Sequence, residues 1–169
     1  INEVESLTIF KNDESLISRL SQMTQKTNQF NLTTKRYTEN EIESMVLSDK
    51  INIYAFSLKD SYGDSGITGL CIIINEGSIA MIDTLLMSCR VIGRKAEEVL
   101  LAYVINEAKA NNAKFVFGYF VESKKNSLVK DFYSINGFKK IDSTAQESTW
   151  RFDTKNDYKC PSYIKYKVL

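Results

Sequence analysis

One stretch of the sequence, an apolar strand followed by a cationic turn and a helix, constrains the fold more than any other. Ile79–Met87 is apolar and β-branched, as strands are, and apolar residues recur at helical spacing from Val99 to Ala108. A second strand pattern follows at residues 114–121. Two strands joined by a helix of this length form a parallel crossover, so we expect both strands in one sheet of an α/β fold.

The turn between strand and helix carries one glycine and three cations. Gly93 stands among Arg90, Arg94 and Lys95. Backbone N–H groups left free at a helix N-terminus attract phosphate, and cationic side chains add to that attraction. The turn therefore predicts an anion-binding strand–turn–helix, and the alternative is a plain helix start with solvated cations.

Composition narrows the class of protein. The chain has 169 residues, 43% of them hydrophobic, and a formal net charge of +1. We therefore expect one globular domain, with no nucleic-acid partner and no membrane span. Because the sequence begins at Ile1 rather than at Met, we expect either a domain excised from a longer chain or a processed product.

The inventory of reactive side chains excludes several mechanisms. The sequence has no histidine, so Ser-His, Cys-His and histidine–zinc chemistry are absent from it. Its cysteines, Cys71, Cys89 and Cys160, lack metal-ligand spacing and favour a reducing cytoplasm without a metal site. Any acid or base must therefore be another side chain or a bound water.

The remaining patterns predict further helices and strands. Asn12 or Asp13 caps a helix to about residue 25, and Thr38 opens a capping box for a second helix to about residue 47. A further helix at 125–135 ends at Asn136-Gly137. The predicted strands, besides the two above, are 5–10, 51–58, 66–75, 138–141, 149–152 and 163–168.

This order of elements, with two motifs, resembles the GCN5-related N-acetyltransferase (GNAT) fold. Residues 90–95 resemble the Arg/Gln-x-x-Gly-x-Gly/Ala pyrophosphate turn of that family, and depart from it at Lys95, which either crowds the pyrophosphate or pairs with it. Residues 126–138 resemble the Asn-x-x-Ala-x-x-Leu-Tyr-x-x-x-Gly-Phe signature. The resemblance implies a mixed, mostly antiparallel central sheet flanked by about four helices, in one domain.

A closer resemblance is to the C-terminal half of FkbH-like proteins, over residues 22–37, 62–66 and 82–94. In that family a haloacid-dehalogenase (HAD) phosphatase-type domain precedes a GNAT-like domain. Members prepare glyceryl units on acyl carrier proteins for methoxymalonyl extender units in polyketide biosynthesis. The resemblance implies an acyl carrier protein as partner and a HAD-type domain in cis; this sequence has no Asp-x-Asp HAD nucleophile motif.

The GNAT resemblance also implies a binding site for acetyl-CoA, another acyl-CoA or a phosphopantetheine arm. The arm is expected between splayed strands at 79–87 and 115–121, with pyrophosphate on the backbone of the turn. The alternative for Asn126 is a helix N-cap. The expected cofactor-binding residues are Leu85, Met87, Arg90, Val91, Ile92, Gly93, Arg94, Lys95, Ala96 and Asn126.

Three residues are candidates for catalysis. Tyr133 stands where many GNAT enzymes keep the general acid that protonates the leaving thiolate; the alternative is a packed core aromatic. Asp83 interrupts an apolar strand, either as a base or as a hydrogen-bonded structural carboxylate. Cys89, beside cations and a helix N-terminus, either accepts an acyl group or fills space.

A polar loop supplies the candidate substrate residues Asn28, Gln29, Phe30 and Asn31. They either face a hydroxylated acyl group or only tie the loop. The resemblance thus implies a GNAT-fold domain that binds a phosphopantetheine-bearing partner and, if catalytic, transfers an acyl group. The rival hypotheses are a non-catalytic carrier-protein docking module and a structural domain.

Overall fold

The described residues of the computed structural model, 4–60, 63–88, 96–158 and 165–169, form nine strands in one sheet. The order is β7-β8-β6-β5-β4-β3-β1-β9, and β2 pairs with β5 away from this path. The strands are β1 Val4–Lys11, β2 Phe30–Asn31, β3 Ile51–Asp60, β4 Gly63–Glu76, β5 Ile79–Met87, β6 Phe115–Val121, β7 Lys139–Ser143, β8 Glu147–Asp153 and β9 Lys165–Val168. The α-helices are α1 Ile17–Lys26, α2 Glu39–Val46, α3 Ala96–Ala110 and α4 Phe132–Ile135.

The sheet is mixed and mostly antiparallel, as predicted. Strands β3, β4 and β5 form an antiparallel meander, and Gly77 takes the left-handed backbone conformation (φ 58°) that the tight turn between β4 and β5 requires. Strands β5 and β6 run parallel, which confirms the crossover through α3. Strands β1 and β9 also run parallel.

The hydrophobic core lies on both faces of the sheet. On one face, α3 and α4 cover a cluster that includes Leu7, Ile82, Val104 and Tyr133. On the other face, α1 and α2 cover a smaller cluster. Its buried members are Leu20, Met23, Ile42, Ile53, Ala55, Leu70, Ile72 and Leu86. Since a fully buried aliphatic side chain stabilises a fold by about 1.5–3 kcal/mol, both layers contribute substantially.

The predicted caps are present at three helix ends. The Glu41 N–H donates to Thr38 Oγ1 (3.2 Å) and the Thr38 N–H donates to Glu41 Oε1 (3.0 Å), which confirms the capping box of α2. Asp13 caps a 3₁₀ turn, Glu14–Leu16, that leads into α1. Gly137 follows α4 with a left-handed backbone (φ 86°), as its position after Asn136 predicts.

Three details differ from the sequence predictions. The helix predicted at 125–135 is a 3₁₀ turn, Ser127–Val129, followed by the short α4, because the Asn126 side chain bonds elsewhere instead of capping a longer helix. The segment between the predicted strands 51–58 and 66–75 is mostly strand rather than turn, since pairing between β3 and β4 continues to Asp60 and Gly63. The polar loop predicted to carry the candidate substrate residues contains β2.

Among the described residues, no helix combines the length and the apolar composition that a bilayer span requires.

Candidate active site

The central strands β5 and β6 part before they end. Their parallel pairing runs from Ile79–Phe115 to Ile82–Gly118 and stops there, although β5 continues to Met87 and β6 to Val121. We call the gap between residues 83–87 and 119–121 the notch. It lies where the resemblance implies a pantetheine arm.

A β-bulge at Asp83 marks the point of divergence. On β4, Ile73 pairs with Ile82 and Ile72 pairs with Thr84, so Asp83 is the extra residue in β5. A bulge bends its strand and strengthens the local twist. The bend in β5 thus occurs at the first residue beyond the last β5–β6 pair, which accounts for the opening.

A segment of the chain itself lies in the notch. Strand β2 pairs antiparallel with β5, Phe30 opposite Met87 and Asn31 opposite Leu86. The next residue bridges both sides, because the Leu32 N–H donates to the Leu85 carbonyl (3.1 Å) and the Val121 N–H donates to the Leu32 carbonyl (2.8 Å). Since β4 holds the opposite edge of β5, residues 30–32 occupy the edge that faces β6.

Side chains fix this segment in place. Asn126 is fully buried, and its Nδ2 donates to the carbonyls of Asn31 and Val121, both at 2.9 Å. Its Oδ1 accepts from the Ser123 N–H (2.8 Å), so it does not cap the helix that follows. The Thr33 hydroxyl donates to the Asp83 carbonyl (2.9 Å). Asn126 therefore ties Asn31 to β6, and Thr33 ties the same segment to β5. The contact of Asn126 with a pantetheine arm stays a prediction.

Tyr133 lies at the closed end of the notch, on the α3 side of the sheet. The hydroxyl-bearing end of its ring packs on Gly118, where an added Cβ would come within 2.4 Å of the ring. Gly118 is the last β6 residue paired with β5, and only glycine leaves room for the ring. Tyr133 is 1% exposed, and its hydroxyl has no hydrogen-bond partner among the described residues.

The surroundings of Tyr133 keep its phenol neutral. Burial raises the pKa of Tyr133 well above its usual value, Cys71 adds to the rise, and a nearby backbone group of Tyr119 offsets it in part. Cys71 is a free, buried thiol in the core, as the sequence predicts, and burial raises its pKa as well. The Tyr119 backbone lies near the Tyr133 hydroxyl but does not complete a hydrogen bond with it. A buried hydroxyl without a partner is costly, which makes this group a candidate for contact with a ligand.

Asp83 is a hydrogen-bonded carboxylate rather than a free one. Its Oδ1 lies 2.5 Å from Lys35 Nζ, and its Oδ2 accepts from the Tyr37 hydroxyl (2.6 Å) and the Thr84 hydroxyl (3.0 Å). Burial, and then the hydrogen bond to Asp83, raises the pKa of Tyr37 above its usual value. This arrangement favours the structural alternative for Asp83, and its role as a base stays a prediction.

The candidate substrate residues divide into two pairs. Asn31 ties the loop, since its Nδ2 donates to the Thr27 carbonyl (3.1 Å) and its Oδ1 accepts from the Thr34 N–H (3.0 Å). Phe30 is buried edge-on against Phe132. Asn28 and Gln29 instead line a surface recess at the open end of the notch.

The predicted phosphate turn lies outside the described residues. The predicted site residues in this part of the chain are Cys89, Arg90, Val91, Ile92, Gly93, Arg94 and Lys95. Of the other cofactor candidates, Ala96 is buried at the start of α3, and Leu85 and Met87 are buried in β5 beside β2. The roles of all these residues stay predictions.

Sequence reasoning missed the partners that shape this region. Lys35 and Tyr37 hold Asp83, and Gly118 accommodates Tyr133. A glycine within an otherwise aromatic strand was the available signal for Gly118, since it marks a close approach. In the described residues, no group of three or more Cys, Asp or Glu side chains is placed to hold a metal ion.

The fold is the GNAT acetyltransferase fold. PaiA N-acetyltransferase from Thermoplasma acidophilum, in complex with coenzyme A, matches with a TM-score of 0.64 at 18% identity, over 88% of this chain and 99% of that one. A variant of the spermidine N-acetyltransferase SpeG from Vibrio cholerae matches with a TM-score of 0.66 at 11% identity, over 89% and 95% of the chains. An acetyltransferase from Thermus thermophilus gives 0.66 at 12% identity, over 89% and 99%. No protein-family model and no curated protein sequence matches the chain.

Proposed function

We propose that this domain is an acyltransferase of the GNAT type that binds the phosphopantetheine arm of an acyl-CoA or of an acyl carrier protein in the notch. The observation that carries the proposal is the buried, unpartnered hydroxyl of Tyr133 at the closed end of the notch. The match to a neighbour in complex with coenzyme A supports it. The resemblance to FkbH-like proteins extends the proposal to carrier-bound glyceryl or methoxymalonyl units, beside a HAD phosphatase-type domain in cis.

The proposed role of Tyr133 follows from its pKa. When bound, a thioester supplies the acyl group, and its thiolate leaves as the acceptor attacks the carbonyl. A thiol has a pKa of ~8.5 and an ordinary tyrosine ~10, so full proton transfer from Tyr133 is uphill, and burial makes it more so. Tyr133 therefore acts best as a neutral hydrogen-bond donor to the developing thiolate.

The chain segment in the notch sets a condition on binding. The Leu85 carbonyl already accepts from Leu32, and Phe30 pairs with Met87. A pantetheine arm that pairs with this edge of β5 must displace residues 30–33. We propose that binding and displacement are coupled.

A non-catalytic docking module is the second candidate. Asp83, the best-placed carboxylate, is neutralised by Lys35 and bonded to Tyr37, which leaves it poorly suited to remove a proton. In this case the domain would hold a carrier's arm while another domain performs the chemistry.

Calorimetric titration with acetyl-CoA, combined with a turnover assay, tests both candidates. An enzyme binds saturably, and Tyr133→Phe lowers kcat by about tenfold or more while the dissociation constant changes little. A docking module binds a pantetheine arm without turnover, and Tyr133→Phe leaves its dissociation constant unchanged. Absence of binding to acetyl-CoA and to a phosphopantetheinylated carrier protein would refute both. A thermal melt of Tyr133→Phe confirms that the variant is folded.

A further inference from the structure

A basic recess formed by described residues lies at the open end of the notch. It has a volume of about 760 Å³, within the usual size range of ligand sites. Its walls come from α1, from the loop before β2, from the end of β5 and from the loop after β6. The lining residues are Arg19, Met23, Lys26, Thr27, Asn28, Gln29, Ser88, Lys124 and Lys125.

A second, smaller recess adjoins the first. It has a volume of about 330 Å³ and shares Asn28, Lys124 and Lys125 with the larger one. Arg36 lines the smaller recess and donates to Asn28 Oδ1 (2.6 Å). Five cations thus surround one continuous depression, and no acidic residue is among the described residues that line either part.

These cations carry charge that no neighbouring carboxylate cancels. Within the described ranges, none of Arg19, Lys26, Arg36, Lys124 and Lys125 has a carboxylate within ion-pair distance. Elsewhere in the described structure, Lys11, Lys35 and Lys155 each pair with an acid. Because the whole chain has a net charge of only +1, the recess is a local excess of positive charge rather than part of a basic surface.

The two arginines are also held in position. Arg19 donates to Gln22 Oε1 (2.9 Å) and to the Ile67 carbonyl (3.2 Å). Arg36 donates to the carbonyls of Thr24 and Thr27 and to Asn28. Neutral acceptors orient both guanidinium groups without cancelling their charge, so a bound anion would lose little side-chain entropy on either.

We propose that the recess binds a phosphate group of the ligand that occupies the notch, with at least two negative charges. Planar guanidinium groups and clustered ammonium groups suit phosphate esters and pyrophosphates. The segments that line the recess lead directly into the notch: Gln29 precedes β2, Ser88 follows β5, and Lys124 lies shortly after β6. The claim that the phosphate belongs to a ligand in the notch rests on the proposed function. The claim that the recess binds an anion does not.

The charge of the recess also sets specificity. A polyamine or a lysine-rich peptide would meet like charges here, and like-charge contacts oppose binding. The recess therefore favours anionic ligands and disfavours spermidine, the substrate that the name of one structural neighbour indicates for that protein.

Titration of the whole chain with inorganic pyrophosphate, at low salt, tests the site directly. The double variant Lys124→Glu/Lys125→Glu should weaken pyrophosphate binding by about tenfold or more, because two contacts to charged groups become repulsive. The matched control, Lys109→Glu/Lys114→Glu, makes the same change of charge at exposed positions remote from the recess. It should weaken binding by no more than about twofold, through the net charge alone. Both variants replace exposed side chains, and thermal melts confirm their folding.

Further ligands identify the source of the phosphate. If Lys124→Glu/Lys125→Glu binds acetyl-CoA more weakly than the unaltered chain does but binds pantetheine equally well, the phosphates of a coenzyme or carrier arm lie in the recess. If acetyl-CoA binds equally to both double variants while pyrophosphate binds more weakly to the recess variant, the ligand of the recess is a separate phosphate ester. Absence of pyrophosphate binding or equal losses in the two double variants would overturn the inference. Failure of acyl transfer alone would leave it intact.

Discussion

The two halves of β5 pair with different neighbours along the edge that faces β6. Residues 79–82 pair directly with β6, and Ala80 and Ile82 are buried under α3 and α4. Residues 83–87 face a gap that a two-residue strand and the peptide after it fill. One half is part of the continuous sheet, and the other completes its hydrogen bonds with a short local segment.

This difference assigns stability to the first half of β5 and ligand binding to the second half. The continuous half gains long-range pairing and core burial together, so little can change there without global loss. The second half keeps its backbone groups satisfied through few bonds, which another extended chain or a pantetheine arm could replace. The unpartnered hydroxyl of Tyr133 lies where the two halves meet.

The largest expected effect is in the continuous half. Ile82→Ala removes a side chain that is 1% exposed and leaves a cavity between the sheet and α3, at a cost of about 2–5 kcal/mol in the free energy of unfolding. Urea denaturation measures the change. The control Ile141→Ala, at a position 43% exposed, should cost less than about 0.5 kcal/mol. Equal costs at the two positions would contradict the description of the core.

An intermediate effect is expected where residues 30–33 are tied to β6. Asn126→Ala removes the donor to Asn31 and Val121 and leaves those carbonyls unpaired, at a cost of about 1–3 kcal/mol. Amide hydrogen exchange should quicken at Leu32 and Val121 and stay unchanged at residues 79–82.

The matched control for this change is Asn136→Ala. Asn136 also donates through Nδ2 to a carbonyl, that of Phe132 at 2.8 Å, but it lies at the end of α4. Asn136→Ala should not alter amide hydrogen exchange at Leu32. Uniform acceleration in both variants would show that the second half of β5 has no independent stability.

The smallest effect is a dependence on alkaline pH that reports on the closed end of the notch. The pKa of Tyr133 is raised in the folded chain, so above the ordinary tyrosine pKa of ~10 the unfolded state binds fewer protons and stability falls as pH rises. Tyr133→Phe should reduce this fall by up to about 1.4 kcal/mol per pH unit, measured by urea denaturation between pH 8 and about pH 11. An identical slope in the variant would mean that the phenol is not shielded.

Much of the fold was predictable from sequence because its signals are local. The capping box at Thr38, the strand at Ile79–Met87 and the glycine turn at Gly137 each follow from short-range chemistry. The order of strands and helices then pointed to the GNAT fold. Strand β2 could not be predicted, because two residues carry no periodicity and their pairing depends on partners more than 50 positions away.

The candidate site was less predictable for the same reason. Asp83 was recognised as a carboxylate in an apolar strand, but its partners Lys35 and Tyr37 lie in a polar loop without a distinctive pattern. Lys124 and Lys125 read as ordinary surface residues after a strand. Only the fold places them beside cations of α1.

Amide hydrogen exchange of Leu32 and Val121 with saturating acetyl-CoA or a phosphopantetheinylated carrier protein tests the central claim most directly. If the second half of β5 is an exchangeable binding edge, the ligand displaces residues 30–33 and exchange at Leu32 and Val121 changes, while residues 79–82 keep their protection. Bound ligand with unchanged protection at both amides would contradict the account, since the notch would then be a closed part of the sheet.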